Sequence, residues 1–377
     1  MSSYDVVVVG GGIAGVSIAY ELGADRSVCL LERESSLATH TTGRSAATFI
    51  ESLGGDQIRG LTRASRPFYE SPPEPFEEGL LTPLSLLLIA SAGRADALRS
   101  MYGQISVLTP DVRLLDEREA RRLNPLLRPG YVELAVLDPG AREMDVHAIH
   151  QGYARGLRRR DGVVQRSAKV VSATRRGGLW TVTDAAGGEY RAPVVVNAAG
   201  AWVDQVAQAA GARPIGIRPL LRTIFMVGAP AGTDVSGLPL TADIDDAFYF
   251  RPEGPQLLCS PADETPAPPG DARPDPMSIA LGLEAVNAAT VLNARHVRSS
   301  WAGLRSFAPD RNPVVGYDGQ AEGFFWFAGQ GGFGIQTAPA LARLGAALVR
   351  NAEVAADILG HGVSVEQLAA TRFPTVD

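Results

Sequence analysis

Lysine is almost missing from this 377-residue chain: Lys169 is the only one, and every other basic side chain is arginine. That excludes a P-loop, which needs a lysine on the phosphates, and most lysine-centred catalysis. Cysteine is nearly as scarce. Cys29 and Cys259 both sit in apolar strand-like runs, which fits inert packing in a reducing compartment better than a disulfide or a metal site. The five histidines, His40, His147, His150, His296 and His361, are scattered; His147 and His150 share an expected helix without ligand-type partners and read as ordinary polar positions. No apolar run is long enough to span a bilayer, the longest being near Leu84 to Ala90. The first expected strand begins within four residues of the start, which leaves no room for a signal peptide, and the expectation is a cytoplasmic chain without a membrane span. A net charge of −6 leaves no basic footprint for nucleic acid. With 45% hydrophobic and 20% charged residues the composition is globular, and the length suggests two domains.

What the chain does have is a strong opening stretch from Tyr4 to Arg33. Val6-Val7-Val8-Val9 runs into Gly10-Gly11-Gly12-Ile13-Ala14-Gly15, a helical pattern follows from Val16 to Leu22, and Ser27-Val28-Cys29-Leu30-Leu31 closes on Glu32. Strand, glycine turn, helix and parallel strand together form a dinucleotide cradle. Gly10 permits the tight turn, Gly12 lets the backbone approach a pyrophosphate, and Gly15 lets helix and strand pack closely. The helix N-terminus then faces the phosphates with free N–H groups. Glu32 lies 20 positions after Gly12, where a carboxylate accepts hydrogen bonds from the ribose hydroxyls. The unit alone leaves NAD and FAD both open.

The loop His40-Thr41-Thr42-Gly43-Arg44-Ser45-Ala46-Ala47 offers hydroxyls either to a pyrophosphate or to a helix N-terminus. Residues 56 to 70 read as a helix, Gly79 to Ala90 as a strand, Gly93 to Gly103 as a helix, and Asp116 and Asp145 as caps of two further helices. Short strands are expected from Val163 to Tyr190 and a buried strand at Pro193 to Val196. The small residues Asn197-Ala198-Ala199-Gly200-Ala201-Trp202 follow it and admit a large flat group to the backbone. Residues 217 to 260 read as antiparallel strands, Pro261 to Pro276 as an exposed loop, 278 to 293 as a helix, and Trp301 to Arg305 as a short strand. Phe324 to Ala328 leads into Gly329-Gln330-Gly331-Gly332-Phe333-Gly334 and a helix expected from Ala338 to Val349. A strand, glycine loop and helix thus occur near both ends of the chain. Two such helix N-termini can converge on one ligand, the first on phosphates and the last on a second charge such as the edge of a reduced flavin.

The sequence resembles the FAD-dependent amine and amino-acid oxidoreductases of the D-amino-acid oxidase, glycine oxidase and sarcosine oxidase superfamily, and within it most nearly bacterial D-arginine dehydrogenase. The shared stretches are Glu32-Arg33-Glu34, Thr42 to Ala47, Asn197 to Trp202, Ala302-Gly303-Leu304-Arg305-Ser306-Phe307 and Gly334-Ile335-Gln336-Thr337. The resemblance implies a mixed α/β architecture: a Rossmann-like doubly wound FAD-binding domain (1–80, 141–212 and 300–377) interleaved with an antiparallel-sheet substrate domain (81–140 and 213–299). It implies FAD with its adenosine along Gly10, Gly12, Ile13, Ala14, Gly15, Glu32 and Arg33, and its adenine on the backbone of Val170. The isoalloxazine would lie between the loop of Arg44, Ser45, Ala46, Ala47 and Thr48 on one side and Gly331, Gly332, Phe333, Gly334, Ile335, Gln336 and Thr337 on the other, with Thr41, Thr42, Gly43, Ala199, Gly200, Trp202 and Gly303 as further cofactor contacts. No cysteine follows Cys259, so the cofactor is expected to be non-covalent.

For the substrate, the resemblance places Arg222, Tyr249 and Arg305 around a carboxylate, with Gln336 and Gly332 beside it; an arginine fork and a phenol suit that task. Read without the resemblance, the arginines would be surface cations and Tyr249 a core aromatic. Three positions depart from D-arginine dehydrogenase. Leu86 stands for the glutamate that pairs with its substrate's guanidinium, Thr48 for its active-site histidine, and Leu53 for its lid tyrosine, with Ile50 nearby. A cationic side chain admitted without a carboxylate partner costs several kcal/mol, as a rough figure. The expected reaction is therefore oxidation of a D-amino acid with an apolar or small side chain, by hydride transfer from Cα to flavin N5. Two alternatives are the same chemistry on glycine, a secondary amine or a nonstandard amino acid, and a nucleotide-binding protein whose site has decayed. The electron acceptor, oxygen or a quinone, is left open.

Overall fold

Val6–Val9 is buried along its whole length and lies between two parallel neighbours, Val28–Leu31 on one side and Val194–Asn197 on the other. The computed structural model describes residues 2–230 and 232–373; Met1, Ala231 and residues 374–377, which fall within the expected domain segments, lie outside them. The six-stranded sheet around Val6–Val9 runs Val163–Gln165, Val28–Leu31, Val6–Val9, Val194–Asn197, Phe324–Ala328 and Val314–Tyr317, and only the last is antiparallel to its neighbour. Both faces are covered, which is why these strands read as unbroken apolar runs. Val6, Val8, Leu30, Val196, Phe325 and Phe327 face the helices Ile13–Leu22, Asp56–Glu70, Val146–Arg159 and Gly334–Val349. Val7, Val9, Leu31, Val195 and Trp326 face the antiparallel strands Val170–Arg176, Leu179–Asp184 and Glu189–Ala192 and the helix Val203–Ala209.

A second, nine-stranded sheet is built on the long antiparallel pair Arg218–Gly228 and Val297–Phe307. Beyond Arg218–Gly228 it continues through Gln256–Ser260, Tyr249–Glu253, Leu240–Asp243, Leu86–Ser91, Val132–Asp138 and Arg113–Leu115. At the opposite edge, Gln330–Gly331 pairs with Ser306 and Phe307. The second glycine loop is thereby stitched to the second sheet, while the strand that leads into it belongs to the first.

Three expectations change in the folded chain. Gly79 to Ala90 is two strands: Leu81–Pro83 pairs with Arg142–Met144, and Leu86–Ser91 crosses into the nine-stranded sheet. The segment read as an exposed loop, Pro261 to Pro276, is irregular and largely exposed as expected, but its part 263–267 is zipped along Arg218–Gly228, with Leu221 N donating to Thr265 O (2.8 Å), Ala267 N to Pro219 O (3.1 Å) and Thr223 N to the Asp263 carboxylate (2.6 Å). Finally, the last long helix starts at Gly334, a turn before Ala338, with Pro339 inside it.

Proline is ordinarily tolerated only in a helix's first turn, and that preference sets a start at Ala338 from sequence alone. Pro339 has no N–H for the Ile335 carbonyl, and the buried Tyr69 hydroxyl donates to that oxygen instead. Tyr69→Phe should cost about 1–2 kcal/mol through the unpaired buried carbonyl, read as a lower urea midpoint.

Candidate active site

A cavity of about 760 Å³ opens where the carboxyl ends of the parallel strands meet one face of the nine-stranded sheet. This is the crevice where open α/β sheets bind ligands. Its first wall is the N-terminal glycine loop. Gly10 has φ +113°, and a Cβ there would lie 2.4 Å from Ala198 O, so any side chain would break both the turn and the contact between neighbouring strands. The helix that follows has no acidic residue in its first turn, so its N–H end keeps its positive character toward the cavity. Thr42 Oγ1 accepts from Ile13 N at 3.0 Å. The hydroxyl loop, open between two uses in the sequence, thus serves at Thr42 as a cap of this helix.

Glu32 is buried, and its two oxygens accept from Gly11 N (2.7 Å) and Glu34 N (2.8 Å). It fixes the glycine loop to the tip of the second strand while remaining on the cavity wall. Ala168, Lys169 and Val170 line the cavity at this end. Arg33 lies 4.6 Å above the Trp202 ring and the His40 ring sits 4.8 Å from it, tilted by 50°, with His40 Nε2 3.0 Å from Glu34. The half-buried Trp202 ring, flanked by these groups, makes a flat, polar-edged platform.

His150, read from sequence as an ordinary polar position, is buried with Nε2 2.9 Å from Gly11 O. It acts as a second-layer support of the phosphate loop. Nothing local in the sequence marks this role, because the partner is 139 residues away. Burial pushes its pKa below the usual histidine value of 6.5, against the pull of the Gly11 carbonyl. The ring is therefore neutral near pH 7 and donates through Nε2–H.

The opposite wall is the second glycine loop and the helix Gly334–Val349, again with no acid in its first turn. Gln330 Nε2 is buried without a partner. Gly331 has φ +57° and would collide with the Phe307 ring, 2.2 Å from a built Cβ. A Cβ on Gly332 would lie 2.8 Å from the Arg305 Cζ, so only glycine leaves the guanidinium its place. Arg44 touches the cavity, but its guanidinium donates to Ala272 O (2.8 Å), Ala302 O (3.1 Å) and the Asp271 carboxylate, and so anchors the 261–275 segment.

Arg222 and Arg305 come from paired strands. Arg222 is in register with Gly303 and Leu220 with Arg305, which sets the two cations diagonally on one face. Arg222 is 8% exposed with its Nε unpartnered. Burial, then the Arg222 charge, pushes Arg305 down to about 10, still cationic at neutral pH. Glu264, missed in the sequence because nothing local marks it, is brought in by the zipped segment and faces Arg222 Nη2 at 3.4 Å. Arg311 forks it at 2.7 and 3.0 Å. Burial alone would raise the Glu264 carboxyl, but Arg311, with Arg222 and Arg305 behind it, holds it below the usual range.

Tyr249 and Leu53 pack with Ile50, Leu86, Leu240 and Ala242 in one apolar patch. Gln336 is in place but committed: Oε1 accepts from Ile50 N (3.3 Å), and Nε2 donates to Thr62 Oγ1 (2.8 Å) and Ile50 O (3.4 Å). Its task is to hold the backbone after Thr48. Of the residues expected at the site, Gly15, Gly43 and Thr337 stand behind the cavity wall. A Cβ on Gly15 would lie 1.7 Å from Gly10 O and one on Gly43 2.3 Å from Ala38 O, while Thr337 is fully buried and bonds Phe333 O. The others named from sequence, including Thr48, Leu53, Leu86, Val170, Gly303 and Gly332, line the cavity.

These residues fit FAD: a glycine cradle in which side chains would collide, two helix N-termini converging on one space, and an unpartnered amide nitrogen on its wall. Because His150 is neutral in the fold and binds a proton near pH 6.5 when unfolded, its stabilising contribution is complete above that value and is lost as pH falls below it. Replacing it with glutamine, which retains a donor, should flatten the acid side of a stability–pH profile of the FAD-loaded protein between about pH 5.5 and 7.5, one unit either side of the reference value.

Glycine oxidase from Geobacillus kaustophilus is 24% identical over 94% of this chain and 95% of its own length, and its crystal structure superimposes with a TM-score of 0.82 at 22% identity, covering 97% and 99% of the two chains. An L-proline dehydrogenase from P. horikoshii has the same fold, with a TM-score of 0.83 at 20% identity over 99% and 98%. Human mitochondrial dimethylglycine dehydrogenase is 27% identical over 68% of this chain but only 30% of its own length; the mouse protein is likewise covered over 40%. The chain thus spans roughly a third of those longer relatives. Among the described residues no helix is long and apolar enough to cross a membrane. Residues 5–348 match the family described as DAO, FAD dependent oxidoreductase, and the chain is a member of that FAD-dependent family.

Proposed function

We propose that the protein oxidises a D-amino acid with an apolar or small side chain to the imino acid, which hydrolyses to a 2-oxo acid and ammonia. The observation that carries this reading is the pair of guanidiniums on one sheet face: Arg305 has no carboxylate within ion-pairing distance among the described residues, and Arg222 keeps a buried, unpartnered Nε. A buried Arg222 beside an Arg305 without a carboxylate partner calls for an anion in the cavity, and a planar carboxylate matches their forks. Tyr249 borders the same space and offers a hydroxyl to that carboxylate.

FAD, when bound without a covalent link, supplies the acceptor for the hydride that leaves Cα, while the amine nitrogen loses its proton to solvent. The chain's own part is to hold the carboxylate so that Cα faces the cofactor, which is worth orders of magnitude in rate. Gln336 fixes the Ile50 backbone, and Leu53, Leu86 and Leu240 present an uncharged wall to the side chain. In this reading the segments 1–80, 141–212 and 300–377 serve the cofactor, and 81–140 with 213–299 serve the substrate. A second reading, oxidation of glycine or a secondary amine by the same chemistry, is favoured by relatives named for glycine, dimethylglycine and proline.

Anaerobic mixing of the yellow protein with D-, L- and N-methyl amino acids, followed as bleaching of the flavin band, separates the two; D-arginine or D-lysine as the best substrate would overturn the uncharged-pocket reading. Arg305→Ala should lower kcat/KM by about 100-fold or more, as expected for a lost charge-assisted contact in a buried site, with the flavin absorbance spectrum intact. Unchanged turnover would remove Arg305 from the site.

A further inference from the structure

Side chains two apart on a strand share a face, and the cavity face of the strands Leu86–Ser91 and Leu240–Asp243 shows Leu86, Leu88, Leu240 and Ala242, with Ile244 just beyond. Leu87 and Ile89 point the other way, into the core on Phe225 and Phe250. The cavity face carries two apolar patches. The inner one, beside the arginine pair, contains Ile50, Leu53, Leu86, Leu240 and Tyr249. The outer one contains Leu88, Leu98, Met101 and Ile244, backed by the helix Ala95–Ile105.

Ala242 is the one residue packed in both. It pairs with Leu88 on one side and with Tyr249 on the other, a small side chain in the row between Leu240 and Ile244. A leucine or isoleucine there would continue the row formed by Leu240 and Ile244 and divide the space in two. With alanine the space is continuous, and the same cavity reaches Leu88, Met101 and Ile244. One two-residue step along the strand is about 7 Å, a depth that glycine or an N-methyl amine would leave as unfilled apolar surface. The lining also includes Asp243 and Asp246, which disfavour an anionic side chain.

We propose that Ala242 is a specificity-determining notch that opens the side-chain pocket toward Met101, so that the substrate is an amino acid with a bulky apolar side chain, aromatic or long and branched. This rests on the amino-acid reading above and narrows it, against the glycine and secondary-amine alternative.

The test uses the FAD-loaded enzyme and its Ala242→Leu variant, with alanine, leucine, methionine and phenylalanine in both enantiomers. In the unsubstituted enzyme kcat/KM should rise from alanine to the bulky side chains of the accepted enantiomer. In Ala242→Leu the ratio for phenylalanine over alanine should fall about tenfold or more, the scale on which a pocket discriminates a few methylene groups. Met101→Ala, which widens the outer patch, should not lower that ratio. A readout without turnover comes from titrating 3-phenylpropanoate and propanoate against the flavin absorbance: Ala242→Leu should weaken the first selectively. If Ala242→Leu loses its flavin, Ala242→Val carries the same comparison with a smaller step. A ratio unchanged by the substitution, or an unsubstituted enzyme that prefers glycine or alanine, overturns this inference while leaving amino-acid oxidation standing. If no amino acid bleaches the flavin, the reaction reading fails, and the side-chain pocket fails with it.

Discussion

Two positive charges sit side by side on one sheet face, and much of the surrounding structure is arranged so that they can. Arg222 and Arg305 repel each other across paired strands, and burial strips away the water that would screen them. The fold answers with a carboxylate from outside the sheet: Glu264 arrives on a segment zipped to the same strand as Arg222, and Arg311 holds it from the other side. One carboxylate shared by a buried and an exposed guanidinium leaves the cluster with an excess of positive charge facing the cavity. In the proposed reaction a substrate carboxylate would neutralise that excess, and binding energy would thereby become orientation.

The cofactor side depends on a different constraint, close packing. Gly10, Gly15 and Ala198 approach so nearly that no Cβ fits at either glycine, and the loop between strand and helix is fixed from three directions by Glu32, Thr42 and His150. Each of these partners hydrogen-bonds a backbone group of the loop or of the helix start. The cradle is therefore rigid before any ligand arrives, and its two converging helix ends are directed at a space whose shape is already set. The second glycine loop gains its rigidity from being paired to the nine-stranded sheet at Ser306 and Phe307, and this joins the cofactor side of the cavity to the side that carries the arginines.

Periodicity and residue type determined the parallel sheet, the first glycine cradle, the Asp116 and Asp145 caps and the helix at 56–70, because each depends on neighbours in sequence: glycine where a turn needs it, an acceptor before a helix, apolar side chains on strands covered on both faces. What only the tertiary structure decided are the relations between distant segments. The helix start at Gly334 depends on a Tyr69 hydroxyl that replaces the donor missing from Pro339. The approach of Glu264 to Arg222 depends on a loop whose composition alone says exposed. Gln336 is spent on the Ile50 backbone, and His150 on Gly11, because strands far apart in the chain lie adjacent in space. Sequence carries the local rules of backbone geometry and burial; which polar group satisfies which, across a hundred or more residues, is fixed only when the sheets close around the cavity.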